Sequence, residues 1–514
     1  MLQAKNPILK GFYPDPSICA VGEDFYLVNS SFCYFPGVPL FHSKDLSNWT
    51  QIGNVLSRSS QLPLEGCAHS QGIFAPTIRH HEGTFYMITT NVSAGGNFIV
   101  TSSDPAGPWS EPYYLGPNAK GIDPSLFFDT DGKCYYVGTR PNEKGVRYNG
   151  DWEIWIQEIN LETMSLTGPS PKVWKGAVHH VIWPEGPHLY KKGEYYYLLI
   201  AEGGTGPNHS ITVARSRSLF GPYENNPNNP IFTHRHLGLN YPITCAGHGD
   251  LVETSKGDWY IVMLGSRPHE GYTNLGRETF LAEVTWENDW PVISPGTGIL
   301  QDTVDVKLES YNTFPSFHSY YFGEDSLPPE FLMLRNPSPN MYKLLPQPTG
   351  LRLFLQPTTL KDKSNASYIG IRQQHYYYQV HTQVTCHTTA SNEVAGFAIM
   401  QNNLYNIRLE VSKFDDGQYI CLYTCENGLD TLVSKQKIES KPAQLKIIQQ
   451  GHAISFYYKT LDTWHLVGPT LSTTLLSTEV SGGFTGCTLG MYASSNGLSS
   501  ESYADFGWFS YQPL

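Results

Sequence analysis

The chain has 514 residues, which is too many for one ordinary domain, and a formal net charge of −12. Charged residues make up only 16% of it and aromatic residues 13%, alongside 47 glycines and 36 prolines. This composition favours short strands and turns over helical bundles, and the acidic balance excludes a general nucleic-acid binder, which needs clustered Lys and Arg.

The N-terminal segment contains no apolar signal core, and no later segment is long enough to cross a bilayer. We therefore expect a cytoplasmic protein with no membrane contact. The nine cysteines are scattered and odd in number. Free buried thiols are the expected state, and they fit a reducing compartment.

A short pattern recurs five times in the first 270 residues. Each copy has a polar turn ending in glycine, followed by a run of aromatic and β-branched residues, which is typical of a hairpin. The glycines lie at positions 22, 83, 132, 193 and 257, so the steps are 61, 49, 61 and 64 residues. Periods of this length indicate a propeller or a solenoid.

A second element closes several of these units, at residues 43–49, 103–109 and 215–223. Its sequence is typical of the outer turn and strand of a four-stranded blade. Five blades of about 60 residues lie within the usual range of ~4–8 blades, so we predict a five-bladed β-propeller over residues 1–309. A linear array of hairpins is the alternative, but neither end carries the atypical capping repeat that such an array needs.

The pattern stops after about residue 300. Residues 310–319 mix Tyr, Phe, Pro and Ser and are predicted to form a linker. Residues 320–514 then alternate apolar and polar positions over short runs, as at 351–355 and 405–411. We predict a second domain there, a β-sandwich of jelly-roll-like type, and an all-β fold class for the whole chain.

Five residues occupy nearly the same place in the five units, seven to nine positions before each glycine. They are Asp15, Ala75, Asp123, Glu185 and His248. If the units close into a ring, these side chains converge on its axis. An Asp before Pro is most often a turn former, and a lone His is often structural, but the shared phase of three carboxylates favours a functional interpretation.

Three carboxylates at one point raise one another's pKa, and a structural core rarely contains them. Glycoside hydrolysis needs such a set. One carboxylic acid protonates the leaving oxygen, and one carboxylate activates water or attacks carbon. A third can position the acid and tune its pKa.

Segments 11–17, 121–127 and 185–190 resemble the three signature segments of glycoside hydrolase family 43, with further likeness at 31–38, 201–204 and 276–279. The resemblance implies a five-bladed propeller of the kind found in inverting β-xylosidases and α-L-arabinofuranosidases. The second domain resembles the sandwich of the β-xylosidase branch. By this resemblance Asp15 is the general base, Asp123 orients the acid and raises its pKa, and Glu185 is the general acid.

The same resemblance implies several substrate contacts. Arg277 matches a sugar-binding arginine, and Phe35 matches an aromatic residue of the terminal-sugar pocket. Residues 483–486 resemble a loop that would bring Phe484 over the propeller. His248 is expected to contact substrate or a calcium ion, or to be a structural histidine.

The chain departs from the family in two places. The family often has Trp-Ala-Pro-Asp in the second blade, whereas residues 74–77 begin with Phe74 here. Phe74 is therefore expected beside the sugar pocket, where it leaves the choice of terminal sugar open. Segment 140–152 matches no known role.

These observations predict an exo-acting, inverting glycosidase that releases terminal non-reducing pentose units from xylo-oligosaccharides or arabinose-substituted oligosaccharides. A β-1,4-xylosidase is preferred, with an α-L-arabinofuranosidase, or one site with both activities, as the alternatives. Inversion predicts that the Asp15 and Glu185 carboxyl groups lie ~6.5–9.5 Å apart. The rival class is a non-catalytic carbohydrate-binding propeller, which would have lost its carboxylates.

No cofactor is required by this chemistry, apart from the calcium considered near His248. Exposed sheet edges in the sandwich would also allow a homo-oligomer.

Overall fold

The structure is a computed structural model that describes residues 2–238, 240–311, 318–323, 326–439 and 442–514. Within these ranges the helical elements are a 3₁₀ turn (Thr473–Leu476) and one α-helix, α1 (Thr478–Ser481), and all other regular structure is β. No described helix has the length and apolar character needed to cross a membrane.

The chain begins with β1 (Leu2–Lys5), β2 (Ser17–Val21), β3 (Asp24–Val28), β4 (Tyr34–Phe35), β5 (Gly37–Ser43) and β6 (Thr50–Leu56). Of these, β2, β3, β5 and β6 form the first four-stranded blade. The second blade contains β7 (Thr77–His81), β8 (Thr84–Asn91), β9 (Gly96–Ser102) and β10 (Tyr113–Tyr114). The third contains β11 (Ile122–Phe128), β12 (Cys134–Pro141), β13 (Trp152–Asn160), β14 (Ser165–Thr167) and β15 (Lys172–Trp174).

The fourth blade contains β16 (Glu185–Lys192), β17 (Tyr195–Glu202), β18 (Ser210–Ser216), β19 (Glu224–Asn225) and β20 (Phe232–Thr233). The fifth contains β21 (Thr244–Glu253), β22 (Trp259–Ser266), β23 (Arg277–Glu287) and β24 (Trp290–Ile293), and β25 (Thr303–Val306) follows it. Every pairing in these sheets is antiparallel, as expected for strands joined by tight hairpins.

The five blades close into a ring. Each first strand contacts the first strand of the next blade, and β2 contacts β21, so the first blade meets the fifth. The chain start reinforces this closure, because β1 pairs with β25 and the Asn6 side chain hydrogen-bonds Leu281 in the fifth blade. The five-bladed propeller predicted from the repeats is confirmed.

One ion pair ties the first strands together inside the ring. Arg79 of the second blade donates to both carboxylate oxygens of Asp250 in the fifth, at 2.8 and 3.0 Å. Ser17 of the first blade and Tyr190 of the fourth donate to the same carboxylate, at 2.7 and 2.5 Å. Burial opposes ionisation of Asp250, but Arg79 and these hydrogen bonds hold the pKa of its carboxyl below the usual value.

The second half of the chain forms two sheets. Its first strands are β26 (His318–Tyr320), β27 (Leu332–Leu334), β28 (Tyr342–Leu345), β29 (Gly350–Phe354), β30 (Ser367–Arg372), β31 (Tyr377–His387), β32 (Val394–Asn402) and β33 (Tyr405–Phe414). Then follow β34 (Gly417–Glu426), β35 (Leu429–Ile438), β36 (Ala443–Gln450), β37 (Ala453–Thr460), β38 (Thr463–Leu466), β39 (Leu471–Ser472), β40 (Thr488–Ser494) and β41 (Tyr503–Pro513).

One sheet of the sandwich runs β28-β29-β41-β31-β36-β37-β38, with β26 and β39 paired to its strands, and the other runs β35-β34-β33-β32-β40-β30-β27-β4. The last strand of the second sheet, β4, comes from the propeller half of the chain. A single buried apolar cluster extends from the first two blades into the sandwich. The two halves therefore share both a sheet and a core.

The predicted boundaries 1–309, 310–319 and 320–514 stay a prediction. Most of the proposed linker, residues 312–317, lies outside the described residues.

Replacing Asp250 with Asn should lower the free energy of unfolding by about 3–5 kcal/mol, because it leaves the Arg79 guanidinium largely buried without a counter-charge. Chemical denaturation followed by tryptophan fluorescence measures the change. Lys133→Ala, which breaks an exposed pair with Glu158, is the control and should leave the midpoint nearly unchanged. An equal effect of the two substitutions would contradict the central role of the buried pair.

Candidate active site

Three of the five residues in the repeat phase share an unusual backbone conformation. Asp15, Asp123 and His248 all have left-handed φ angles, of 50°, 53° and 49°, and Gly186 after Glu185 has φ 56°. Non-glycine residues rarely adopt this conformation, and it clusters at functional sites. The pairing of β11, β16 and β21 with their neighbours is also irregular at these positions. Such bulges redirect side chains at the start of a strand.

All five residues of the repeat phase line one cavity of about 90 Å³: Asp15, Ala75, Asp123, Glu185 and His248. The structure thus brings the three carboxylates of different blades to one place. Ala75 contributes only a methyl group there.

Asp15 is held as an anion. Arg277 Nη1 donates to Asp15 Oδ1 at 2.8 Å, and Ser30 Oγ donates to Asp15 Oδ2 at 2.6 Å. Burial alone would raise the pKa of this carboxyl. The charges of Arg277 and His248 and the Ser30 hydrogen bond outweigh burial, so the pKa of Asp15 lies below its ordinary value.

The pKa values of Glu185 and Asp123 shift in the opposite direction to that of Asp15. Enclosure in the protein raises the pKa of Glu185 well above its ordinary value, and the neighbouring charges of Asp123 and Asp15 raise it further. The pKa of Asp123 is also raised, mainly by burial. The backbone N–H of Gly186 donates to Asp123 Oδ2 at 3.1 Å, which fixes Asp123 to the residue that follows Glu185.

Three phenylalanine rings form the apolar wall of the cavity. Phe32 and Phe74 have ring centroids 5.3 Å apart, and Phe484 of the sandwich lies 6.3 and 6.4 Å from them. The Arg277 guanidinium lies 5.8 Å from the Phe32 ring centroid and 5.7 Å from that of Phe484. The expected positions of Phe74, Phe484 and Arg277 at the pocket therefore agree with the structure.

Phe35 does not line this cavity, and the structure corrects its expected place. It belongs to β4, where it pairs with Met333 of the sandwich and is buried. Phe32, three residues earlier, lines the pocket instead. Both aromatic residues lie within segment 31–38, which carries the family likeness, so the motif alone could not distinguish them.

Two further polar residues of the cavity were not singled out from the sequence. Thr205 Oγ1 accepts a hydrogen bond from Arg277 Nη1 at 3.1 Å. His209 Nδ1 donates to the Cys245 carbonyl at 2.9 Å, since a carbonyl can only accept, and burial lowers the pKa of His209 to about 4. Both residues come shortly after segment 201–204, so nearness to that segment was the one available indication.

His248 lies against Gly186, where any Cβ atom would meet its ring at 2.8 Å. Calcium prefers six to eight oxygen ligands, and an imidazole offers nitrogen. Within the described ranges, no group of three or more His, Cys, Asp or Glu side chains is arranged to hold a metal ion. The calcium contact considered for His248 stays a prediction.

Segment 140–152 supports the residues that precede Glu185. Arg147 pairs with Asp151 at 2.8 Å within the segment. Tyr148 donates to the Val181 carbonyl at 3.0 Å, and Trp183 N donates to the Gly150 carbonyl at 2.9 Å. The segment thus packs against the loop that leads into β16.

Carboxyl groups whose pKa values are shifted in opposite directions, beside aromatic rings and an arginine, are typical of a glycoside hydrolase. The family described as "Glycosyl hydrolases family 43" matches residues 4–291, and the "Beta xylosidase C-terminal Concanavalin A-like domain" matches residues 319–512. The chain belongs to glycoside hydrolase family 43.

Its relatives cover the whole chain. It is 52% identical to a xylosidase/arabinosidase of Butyrivibrio fibrisolvens, over 100% of both chains. It is 37% identical to the non-reducing end alpha-L-arabinofuranosidase BoGH43B of Bacteroides ovatus, over 99% of this chain and 95% of the relative. Among solved structures, the xylan beta-1,4-xylosidase of Bacillus halodurans C-125 matches with a TM-score of 0.93 at 34% identity, over 99% of this chain and 100% of that one.

Replacing Asp123 with Asn should lower the pKa of Glu185, because it removes the negative charge that disfavours ionisation of the acid. Carboxyl ¹³C chemical shifts of the labelled protein, followed through a pH titration, measure this pKa. Asp131→Asn, in an exposed turn of the same blade, is the matched control and should leave the titration of Glu185 unchanged. A Glu185 pKa that stays the same or rises in Asp123→Asn would contradict the coupling.

Proposed function

We propose that the protein is an exo-acting, inverting hydrolase that removes one terminal pentose from the non-reducing end of an oligosaccharide, with β-1,4-linked xylose as its preferred sugar. The observation that carries the proposal is the opposite direction of two pKa shifts in one cavity. Asp15 is stabilised as an anion, and Glu185 is stabilised as a neutral acid. Glycoside hydrolysis needs one group of each kind. Inversion is supported by the likeness of the three carboxylate segments to those of family 43.

In the proposed reaction, Asp15 takes a proton from a water molecule whose oxygen attacks the anomeric carbon. The bond between this carbon and the glycosidic oxygen breaks, and Glu185 gives its proton to the departing oxygen. Asp123 keeps the pKa of Glu185 high before transfer. One proton enters Asp15 and one leaves Glu185, so the enzyme is restored when they exchange with solvent.

The sugar would be bound by both the polar and the apolar side chains of the cavity. Arg277 offers hydrogen-bond donors to the sugar hydroxyls, and the rings of Phe32, Phe74 and Phe484 offer apolar faces. Phe484 reaches the cavity from the sandwich and is 43% exposed there. We propose that this side chain closes one end of the pocket, which would favour removal of a terminal unit over cleavage within a chain.

The preference for xylose is supported by relatives. One full-length relative is named a xylosidase/arabinosidase, and another, from Bacillus subtilis, is named a beta-xylosidase at 34% identity over 99% of this chain. The second candidate is an α-L-arabinofuranosidase, because the Bacteroides ovatus relative carries that name. One site with both activities would fit the first of these names. Xylo-oligosaccharides and arabinose-substituted oligosaccharides are the corresponding substrates.

The proposed reaction uses only the side chains of this chain and needs no cofactor. A calcium contact of His248 through water, a homo-oligomer and a cytoplasmic location stay predictions. The location is supported by Cys421 and Cys425, the closest cysteine pair in sequence, which are both free thiols.

Glu185→Ala should lower kcat/KM on xylobiose by about 10²–10⁴-fold, since the leaving sugar then departs without a proton. The loss should be much smaller on a dinitrophenyl xyloside, whose leaving group needs no acid. Steady-state kinetics on the two substrates measure the difference. Similar losses on both would mean that Glu185 is not the acid, and unchanged rates would exclude it from catalysis.

The sugar preference and the stereochemistry are tested on the unmodified protein. We expect a higher kcat/KM on p-nitrophenyl β-D-xyloside than on p-nitrophenyl α-L-arabinofuranoside. Proton NMR of the xyloside reaction should show the α-anomer of xylose first, because inversion converts a β-linkage into an α-product. A preference for the arabinofuranoside would favour the second candidate, and an initial β-anomer would contradict inversion.

A further inference from the structure

The loop that leads into Arg277 is held by the sandwich. Among the described residues, all hydrogen bonds of Thr273 and Asn274 are made with the second half of the chain. Thr478 N donates to the Thr273 carbonyl at 3.0 Å, and Cys487 N donates to the Asn274 carbonyl at 2.7 Å. Asn274 also donates two hydrogen bonds, from its backbone N to Tyr376 Oη at 3.3 Å and from Nδ2 to the Thr473 carbonyl at 2.8 Å.

Glu479 supplies the charged part of this contact. Its two carboxylate oxygens accept hydrogen bonds from Thr273 N at 2.7 Å and from Thr273 Oγ1 at 2.9 Å. Thr273 is buried, whereas Glu479 lies on the exposed side of α1. Hydrogen bonds to an ionised acceptor are about twice as strong as neutral ones, so this residue is the strongest single tie between α1 and the loop.

The two backbones also touch directly beyond Thr273. A Cβ atom on Gly276 would meet Gly486 Cα at 2.8 Å, and a Cβ atom on Gly486 would meet the Leu275 carbonyl oxygen at 2.4 Å. Gly276 is followed at once by Arg277, whose guanidinium holds Asp15 and lies beside Phe484. Residues 273–276 thus connect the contact with α1 to Arg277, which in turn holds the proposed base, Asp15.

We propose that Glu479 is a positioning residue for the hydrolysis reaction: by fixing Thr273, it holds Arg277 against Asp15 and keeps the base ionised. The inference rests on the proposed function, because it assigns Glu479 a part in that reaction. Glu479 touches no reacting atom, so its effect passes through the loop. The sandwich would then contribute to proton transfer as well as to the pocket wall.

The charged and titratable groups that face Asp15 are few. Arg277, His248 and His209 favour its anion, and Asp123 and Glu185 are the neighbouring acids. Arg277 is the nearest cation, at 2.8 Å. Any displacement of Arg277 should therefore raise the pH at which Asp15 loses its proton.

The test is the pH profile of kcat/KM on p-nitrophenyl β-D-xyloside for Glu479→Ala. We expect kcat/KM to fall by roughly tenfold at the optimum, as for the loss of hydrogen bonds to a charged group. The acid limb should move to higher pH, and the alkaline limb, set by Glu185, should move less in the same direction, because the Arg277 charge lowers the pKa of both carboxyl groups but lies directly against Asp15. Glu479→Gln keeps an acceptor oxygen and should lie between the two proteins.

Val480→Ala is the matched control, since Val480 lies on the same helix and is 41% exposed. It should leave both limbs unchanged. A second variant, Gly486→Ala, should reproduce the shift of the acid limb because it pushes the loops apart. If Glu479→Ala lowers kcat/KM equally at every pH, its role is only structural and the proposal is wrong, and no change at all would equally overturn it.

Failure of the proposed function itself would look different, because the unmodified protein would then cleave neither nitrophenyl pentoside. In that case the effect of Glu479 on Arg277 can still be measured without substrate, through the pKa of Asp15. The carboxyl ¹³C titration of Asp15 should show a higher pKa in Glu479→Ala than in Val480→Ala, and equal values would overturn the proposal.

Discussion

The ion pair between Arg277 and Asp15 determines which carboxyl group of the pocket carries the negative charge. Three carboxylates line one cavity, where their mutual repulsion favours the protonated forms. A guanidinium cannot lose its proton, so Arg277 assigns the negative charge to the carboxylate that it touches. Asp15 takes the charge, and Glu185, whose strongest electrostatic neighbour is Asp123, keeps its proton. One cation therefore distinguishes the proposed acid from the proposed base.

The propeller has five equivalent positions at its cavity, one in each blade, and they carry chemically different residues. Asp15, Asp123 and His248 share a left-handed φ near the start of their inner strands, and Gly186 has it beside Glu185. The equivalent positions bring carboxylates of different blades to one cavity. The buried pair of Arg79 and Asp250 joins β7 with β21, and hydrogen bonds from Ser17 and Tyr190 to the same carboxylate add β2 and β16. Four of the five inner strands are thus tied at one carboxylate.

The sequence predicted the parts of the site that depend on the repeat. Asp15, Asp123 and Glu185 could be located because hairpin phase is local, and a turn glycine marks it. Phe32, Thr205 and His209 lie outside that phase, and their approach to the pocket depends on how loops pack across blades. Phe35 was placed wrongly for a similar reason. Nothing in the local sequence reveals that Tyr34 and Phe35 pair with a strand some 300 residues later.

That pairing also affects how the molecule can be assembled and altered. Because β4 completes a sheet of the sandwich and one apolar core spans both halves, neither half has a finished surface of its own. A chain cut between them would leave β27 as an unpaired edge open to association with other chains. The protein is therefore best regarded as one cooperative folding unit with two architectures, in which gene fusion or module exchange at the boundary would disrupt both.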